Sequence, residues 1–230
     1  MLSEIFKLFW KTVERKDERR INSQTPPTEI EQFCDIQYID DGLWQHRLDV
    51  YSKSDKFSHR PVIIDIHGGG WMYGTKEINK NYCLVLAQND YVVVNINYRL
   101  APDFSVADQL RDCFFSFKWV STNIEKYGGD LNNVFVTGDS AGGFLAAYSA
   151  LLNSSDKLRK IFGVTESGLE FKACGLTSPV CFMNTHTFHD VYYSRVKGKE
   201  FSESTLRGFE NFDAVLNKGS MPPTLSLIHI

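Results

Sequence analysis

The residue whose type and setting best suit covalent chemistry is Ser140. It stands in the run GDSAG at positions 138–142, after an apolar segment at 134–136 and before residues with helical periodicity. A tight turn from strand to helix lifts a serine hydroxyl out of the sheet, and small neighbours avoid clashes in that turn. The helix N-terminus behind the serine favours developing negative charge. The run alone is weak evidence, but its context predicts that Ser140 is a nucleophile.

A glycine-rich run, HGGGW at positions 67–71, follows a second apolar segment at 62–66. Consecutive glycines let backbone N–H groups point into a site with no side chain in the way. Such groups can hold the oxyanion of a tetrahedral intermediate. The expected donors are the N–H groups of Gly68, Gly69, Gly70 and Ala141. A glycine-rich turn without chemistry is the alternative, and the order of the two motifs in the chain argues against it.

The segments that flank both motifs predict the elements that position them. Runs at 61–66, 92–96 and 134–136 are nearly continuous in apolar residues, which is typical of strands buried on both faces of a parallel sheet. Helical periodicity is found over 3–20 and 110–120 and again after Ser140. Strands that alternate with helices favour a doubly wound α/β sheet. Further strands are predicted at 34–40, 46–52, 171–177 and 224–229.

Size and composition limit the possible classes. The 230 residues suffice for one α/β domain, and a net charge of -3 gives no reason to expect nucleic acid or an anionic membrane as partner. No segment approaches the ~20 apolar residues of a membrane span, and charged residues interrupt the N-terminus, which argues against a signal peptide. Five scattered cysteines without a C-x-x-C pair predict reduced thiols in a cytoplasmic protein, with no disulfide framework and no zinc site.

Three motifs together resemble those of the hormone-sensitive-lipase-like esterases, within the α/β-hydrolase superfamily. They are HGGGW at 67–71, YRLAP at 98–102 and GDSAGG at 138–143, and the likeness is dense from about Val62 to Asn153. The resemblance implies an α/β-hydrolase fold that hydrolyses carboxylic esters with short or medium acyl chains, without a metal or an organic cofactor. It also implies a helical cap built from the N-terminal helix and from an insertion after the sixth strand.

The aromatic and charged segment 180–220 fits that insertion, because it breaks the alternation of strands and helices. An insertion between core strands lies above the strand ends where ligands bind, so a cap is its expected role. We therefore expect one domain, 1–230. Its expected parts are an N-terminal cap helix at 1–30, a core sheet at 31–179 and 221–230, and a cap insertion at 180–220.

Two residues beside the motifs have expected supporting roles. Asp139 precedes the nucleophile at a sharp turn, so its side chain points elsewhere, and we interpret it as bracing the turn by hydrogen bonds. His67 is a poor candidate for the general base, and the resemblance implies that it supports the shape of the oxyanion loop. Arg99 is interpreted as an internal ion-pair partner of Asp108 or Asp112 rather than a substrate clamp.

The sequence supplies a nucleophile without clear partners for it. The chemistry needs a base and an orienting acid, which in this superfamily follow the serine in the order Asp or Glu, then His. The acid is expected past the seventh strand and the histidine past the eighth, yet the seventh predicted strand reaches Ile230. We therefore expect a C-terminally truncated chain that lacks the last strand and helix, the triad Asp and His, and most of the catalytic rate. A triad rebuilt from residues of the cap or the last strand is disfavoured. Those residues are His186, His189, His229, Asp190 and Asp213.

Other functions remain open at this point. A non-catalytic module that binds small ligands is one alternative, although a binder needs neither Ser140 nor the glycine loop. A peptidase or amidase uses the same machinery, and the HGGG form of the loop favours esters. The expected partners are a small ester substrate and, through an exposed sheet edge, a second copy of the chain.

Overall fold

Seven strands form one sheet in the order β1-β2-β4-β3-β5-β6-β7. The computed structural model describes residues 2–54, 59–181, 183, 189–203, 206–209 and 211–227, so His186, His229 and the predicted end of the last strand lie outside the described residues. The strands are β1 (Ile30–Gln37), β2 (Arg47–Lys53), β3 (Arg60–Ile66), β4 (Val92–Ile96), β5 (Gly129–Asp139), β6 (Phe171–Thr177) and β7 (Thr224–Leu227). The α-helices are α1 (Leu2–Asn22), α2 (Lys80–Gln88), α3 (Val106–Asn123), α4 (Ala141–Asn153), α5 (Asp156–Phe162), α6 (His189–Glu203) and α7 (Phe212–Leu216).

The sheet is mostly parallel, as predicted. β2 pairs antiparallel with β1 and β4, and all neighbours from β4 to β7 pair in parallel. Helices α3 and α4 pack together on one face, and α2 packs on the other over β4, β2 and β1. All five residues of β4 are buried between these layers. Each fully buried valine or isoleucine there stabilises the fold by about 1.5–3 kcal/mol, which explains the continuous apolar runs in the sequence.

Several elements differ from the sequence-based expectation: β5 covers Gly129–Asp139 where only 134–136 was predicted, and α5 was not predicted. β1 covers Ile30–Gln37 instead of 34–40, and most of its residues are exposed, so apolar periodicity does not mark its position. A bulge also interrupts its pairing, where Asp35 has a φ of 58° and donates its N–H to Asp49 Oδ1 at 2.8 Å. Helix α2 has only nine residues and was not predicted at all.

The described residues between β6 and β7 include two helices joined to non-helical stretches. α6 and α7 both lie within 180–220, and α6 contains a kink at Gly198, whose φ is 65°. Within the described part of the chain, no helix has the length and apolar character that a membrane crossing requires.

A buried ion pair joins the residue before β2, the residues after β4 and helix α3. Arg99, just after β4, donates from Nε and Nη2 to Asp112 of α3, with Nη2 2.7 Å from Oδ1. His46, just before β2, has its Nε2 atom 3.2 Å from the same carboxylate. The structure therefore confirms that Arg99 forms an internal ion pair, and it identifies Asp112, which is fully buried, as the main partner.

Replacing Asp112 by alanine is expected to lower the free energy of unfolding by about 3–5 kcal/mol, because Arg99 would keep its charge without its buried partner. Urea denaturation followed by circular dichroism measures this change. Asp103→Ala is the matched control, since Asp103 is exposed, and it should change stability by less than about 0.5 kcal/mol. Equal effects of the two variants would contradict a stabilising role for the Arg99–Asp112 pair.

Candidate active site

Ser140 occupies a strained turn between β5 and α4. Its φ is 51° and its ψ is -114°, a conformation that non-glycine residues rarely adopt. Three backbone hydrogen bonds hold it there: its N–H donates to Thr177 O at 2.9 Å, and its carbonyl accepts from Phe144 N and Val180 N at 3.1 and 3.2 Å. Strain of this kind costs about 1–3 kcal/mol and persists only where the surroundings enforce it.

The glycine loop lies beside this turn because the two strands that lead into them are parallel neighbours. Ile66, the last residue of β3, pairs in register with Gly138 of β5. The approach is so close that a Cβ on Gly142 would lie 2.7 Å from the carbonyl carbon of His67. A glycine at that position is therefore required for helix α4 to begin directly behind the loop.

A hydrogen bond joins the two motifs directly. The N–H of Gly68 donates to Asp139 Oδ1 at 2.9 Å. The N–H of Gly68, one of the predicted oxyanion donors, therefore already has an acceptor in the structure. Through this bond Asp139, which precedes the Ser140 turn, supports the glycine loop.

Three N–H groups remain available at this point. For Gly69, Gly70 and Ala141, no hydrogen-bond acceptor is found among the described residues. Gly69 and Gly70 have φ values of 113° and 58°, a region that glycine enters without steric cost. Ala141 is the first residue of α4, where an N–H normally lacks a partner within the helix.

His67 is fully buried and cannot act at the surface of the site. Its Nδ1 lies 2.7 Å from Gly68 O, and its ring stacks on Tyr98 with centroids 4.3 Å apart. Burial lowers the pKa of His67 to about 4, because it disfavours the charged imidazolium. The neutral ring thus donates from Nδ1 to the loop, and Tyr98 OH donates to His67 O at 2.8 Å.

The residues after β4 support the other end of the loop. The carbonyl of Trp71 accepts from Ala101 N at 2.8 Å and from Gln109 Nε2 at 2.9 Å. The YRLAP motif is therefore a scaffold for the loop. Its contribution as a bracing element was not part of the sequence-based assignment of the site.

Aromatic residues from two other segments contact the loop at Gly70. Tyr192 of α6 donates its hydroxyl to Gly70 O. The ring of Trp10 in α1 stacks on that of Tyr73, with the ring centroids 5.3 Å apart. A Cβ atom added to Gly70 would lie 2.8 Å from Cη2 of Trp10. Both the N-terminal helix and the 180–220 segment thus reach the loop at the carboxyl end of β3.

Comparison with known proteins places the chain in a family. The family model described as BD-FAE matches residues 48–191. The chain belongs to the BD-FAE family. It is 31% identical to esterase B from Lactobacillus rhamnosis, solved with a tributyrin phosphonate, with a TM-score of 0.91 over 98% of this chain and 73% of that one. This match shows that the sheet is that of an α/β-hydrolase, as the motifs predicted.

Two curated relatives match in sequence. Isoprenylcysteine alpha-carbonyl methylesterase from Arabidopsis thaliana is 29% identical over 194 residues, 80% of this chain and 45% of that protein. Versiconal hemiacetal acetate esterase from Dothistroma septosporum is 35% identical over 112 residues, 48% of this chain and 33% of that protein. This chain therefore spans less than half the length of these relatives.

The described histidine side chains do not supply a base for Ser140. His46 is buried against Asp112, and His59 is exposed before β3, at the end of the sheet opposite the site. His67 is neutral and faces Gly68. The side chain of His189 is outside the described part of this BD-FAE chain, as are His186 and His229.

Two polar residues behind the site were missed. They are Asp65 of β3 and Asn79, which precedes α2; the Asn79 amide donates both to Asp65 Oδ2 and to Asp139 Oδ1. Asp65 has a visible signal in the sequence, since it is the one carboxylate in the apolar run 62–66. Asn79 has none, because its partners lie 14 and 60 residues away.

The pKa of His67 predicts a pH dependence of stability. Between pH 4 and its ordinary pKa of 6.5, the unfolded chain binds a proton that the folded chain does not, so the free energy of unfolding falls as the pH falls through that range. In His67→Gln this contribution is absent. Above about pH 7 the difference in unfolding free energy between wild type and variant should be constant. From pH 7 to pH 4 the wild type should lose about 3 kcal/mol of unfolding free energy relative to the variant.

Urea denaturation at pH 4 to 8 measures this difference. His59→Gln is the control, because His59 is exposed, and its difference from wild type should not change with pH in the same way. A parallel pH dependence for wild type and His67→Gln would contradict the assignment of a buried neutral histidine.

Proposed function

We propose that this chain is a carboxylesterase-type serine hydrolase with Ser140 as its nucleophile. The observation that carries the proposal is the strained Ser140 turn beside three N–H groups that have no acceptor among the described residues. Ser140 Oγ attacks the ester carbonyl carbon, and the N–H groups of Gly69, Gly70 and Ala141 receive the oxyanion. The ester C–O bond then breaks, the alcohol leaves, and water hydrolyses the acyl-enzyme.

Short acyl chains are the proposed substrates. The support is the crowding of Gly70 by Trp10 and Tyr192, which leaves little room above the loop. The names of relatives agree, since one is an acetate esterase and another was inhibited by a tributyrin phosphonate. In this proposal, residues 1–30 and 180–220 form the cap around the acyl group, over a core formed by 31–179 and 221–230.

Supporting roles are assigned to Asp139 and His67. Asp139 accepts a hydrogen bond from the N–H of Gly68, and His67 Nδ1 donates to the carbonyl of the same glycine, so both fix the loop at Gly68. Gly68 thus orients the loop instead of donating to the oxyanion. The base is proposed to come from outside the described side chains, because His46, His59 and His67 are all occupied or distant.

A short-chain alkyl fluorophosphonate tests the nucleophile. In this reaction Ser140 Oγ bonds to phosphorus, fluoride leaves, and the serine proton passes to a base. We expect mass spectrometry to find the phosphonyl group on Ser140, and we expect added imidazole to accelerate labelling by supplying the base. Labelling should disappear in Ser140→Ala.

Ser149→Ala is the matched control for that experiment. Ser149 lies in α4, the helix that follows Ser140, is fully buried, and should be dispensable for labelling. Labelling of another residue, or equal labelling of wild type and Ser140→Ala, would contradict the proposed nucleophile. Rapid labelling that imidazole does not change would instead assign the base to one of the undescribed histidines.

We also propose that a second copy of the chain pairs with β7. β7 is an edge of the described sheet, and Leu225 and Leu227 are 66% and 56% exposed. An open apolar edge strand is a template for pairing with another chain. A cavity of about 480 Å³ beside it, lined in part by Phe135 and Ala173, extends the apolar surface.

Light scattering at increasing protein concentration tests this pairing. We expect dimers in the wild type and mainly monomers in Leu225→Lys, because a charge would have to be buried at the new interface. Leu216→Lys on α7 is the control, since Leu216 is also exposed but lies away from the edge. A monomeric wild type at all concentrations would contradict the proposal.

A further inference from the structure

A carboxyl group is buried directly behind the proposed oxyanion loop. Asp65 lies in β3, two residues before His67, and is 1% exposed. An unpaired buried carboxylate is costly, so such a group is normally hydrogen-bonded or protonated. Burial, with a smaller contribution from the nearby Asp139, raises the pKa of Asp65 to about 7. The fold retains a polar group there despite this cost.

Asn79 gives up a common structural role to contact that group. It is the N-cap residue of α2, where an asparagine side chain usually accepts a hydrogen bond from the first turn of the helix. Here it makes no such bond. Its Nδ2 atom instead donates to Asp65 Oδ2 at 2.9 Å and to Asp139 Oδ1 at 3.0 Å.

The two donors on Asp139 connect this pair to the site. Asp139 Oδ1 accepts from Asn79 Nδ2 and also from Gly68 N. The position of the Asp139 carboxylate therefore depends on Asn79, and the direction of the loop after Gly68 depends on that carboxylate. A displacement of about 1 Å in a positioned donor can cost on the order of 100-fold in rate.

We propose that Asn79 and Asp65 are positioning residues for the oxyanion loop. Asp65 anchors the Asn79 amide to β3, the amide holds Asp139, and Asp139 orients Gly68 so that the N–H groups of Gly69 and Gly70 face Ser140. This inference rests on the proposed function, since it assigns a task within the same reaction.

The variant Asn79→Ser separates positioning from folding. Serine is also a preferred N-cap and Asn79 makes no capping bond, so α2 loses no cap while the bridge between the two carboxyl groups is lost. We expect the thermal unfolding temperature to be retained. The maximal rate of Ser140 labelling by the fluorophosphonate, with imidazole present, should fall by about tenfold or more, with an unchanged half-saturating probe concentration.

Asn81→Ser is the matched control, because Asn81 contacts Gln24 and Ile21 of the N-terminal segment rather than the site. It should label at the wild-type rate. Asp65→Asn should also label close to the wild-type rate, since its amide oxygen can still accept from Asn79, whereas Asp65→Ala should not. This rescue by a conservative variant distinguishes hydrogen bonding from charge.

The outcomes separate this inference from the function on which it rests. If wild type labels at Ser140 and Asn79→Ser keeps the same maximal rate, or loses only probe affinity, the positioning role is overturned and the proposed nucleophile stands. If wild type does not label at Ser140, both are overturned. The positioning role is supported if Asn79→Ser loses maximal labelling rate while its unfolding temperature is retained. It is supported further if Asp65→Ala also loses maximal rate and Asp65→Asn does not.

Discussion

The hydrogen bond from Gly68 N–H to Asp139 is the contact on which the geometry of the site depends. It joins residues 71 positions apart, one at the end of β3 and the other at the end of β5. The sheet brings the two strand ends together, but a glycine loop has too much conformational freedom for proximity alone to orient it. An acceptor fixed on the neighbouring strand supplies the missing constraint. The N–H groups that follow Gly68 are then directed by a group that is itself outside the proposed reaction.

The surroundings of Ser140 follow from the same principle of constraint by neighbours. Its backbone conformation is unfavourable, and bonds to Thr177, Val180 and Phe144 enforce it from three separate segments. Such a turn is stable only because the sheet and α4 are packed on both sides of it. The ordinary stability of the core is therefore what allows a strained and locally unstable turn at the end of β5. A site of this kind is a property of the whole domain.

The sequence predicted those parts of the structure that burial determines. β4 and β6 occupy the predicted ranges, and β3 differs by one residue, because continuous apolar runs mark strands covered on both faces. The predicted range of β1 was wrong by several residues, because an exposed edge strand with a bulge carries no such apolar signal. The two motifs predicted where the candidate site lies, yet three glycines of identical type offered no means to separate Gly68 from its neighbours. Only the position of Asp139 in three dimensions distinguishes them.

The charge balance behind the loop explains why an amide is found between two carboxyl groups. In the proposed reaction a tetrahedral intermediate would place negative charge near Gly69 and Gly70, so additional negative charge close behind them would oppose its formation. Asp65 avoids this conflict to the extent that it is protonated, and its raised pKa of about 7 keeps a large part of it neutral near neutral pH. Asn79 can donate to both carboxyl groups without adding charge, which a lysine or arginine could not do. Within this network Asn79 adds no charge and Asp65 is partly neutral, so less negative charge lies behind the loop than two ionised carboxylates would place there.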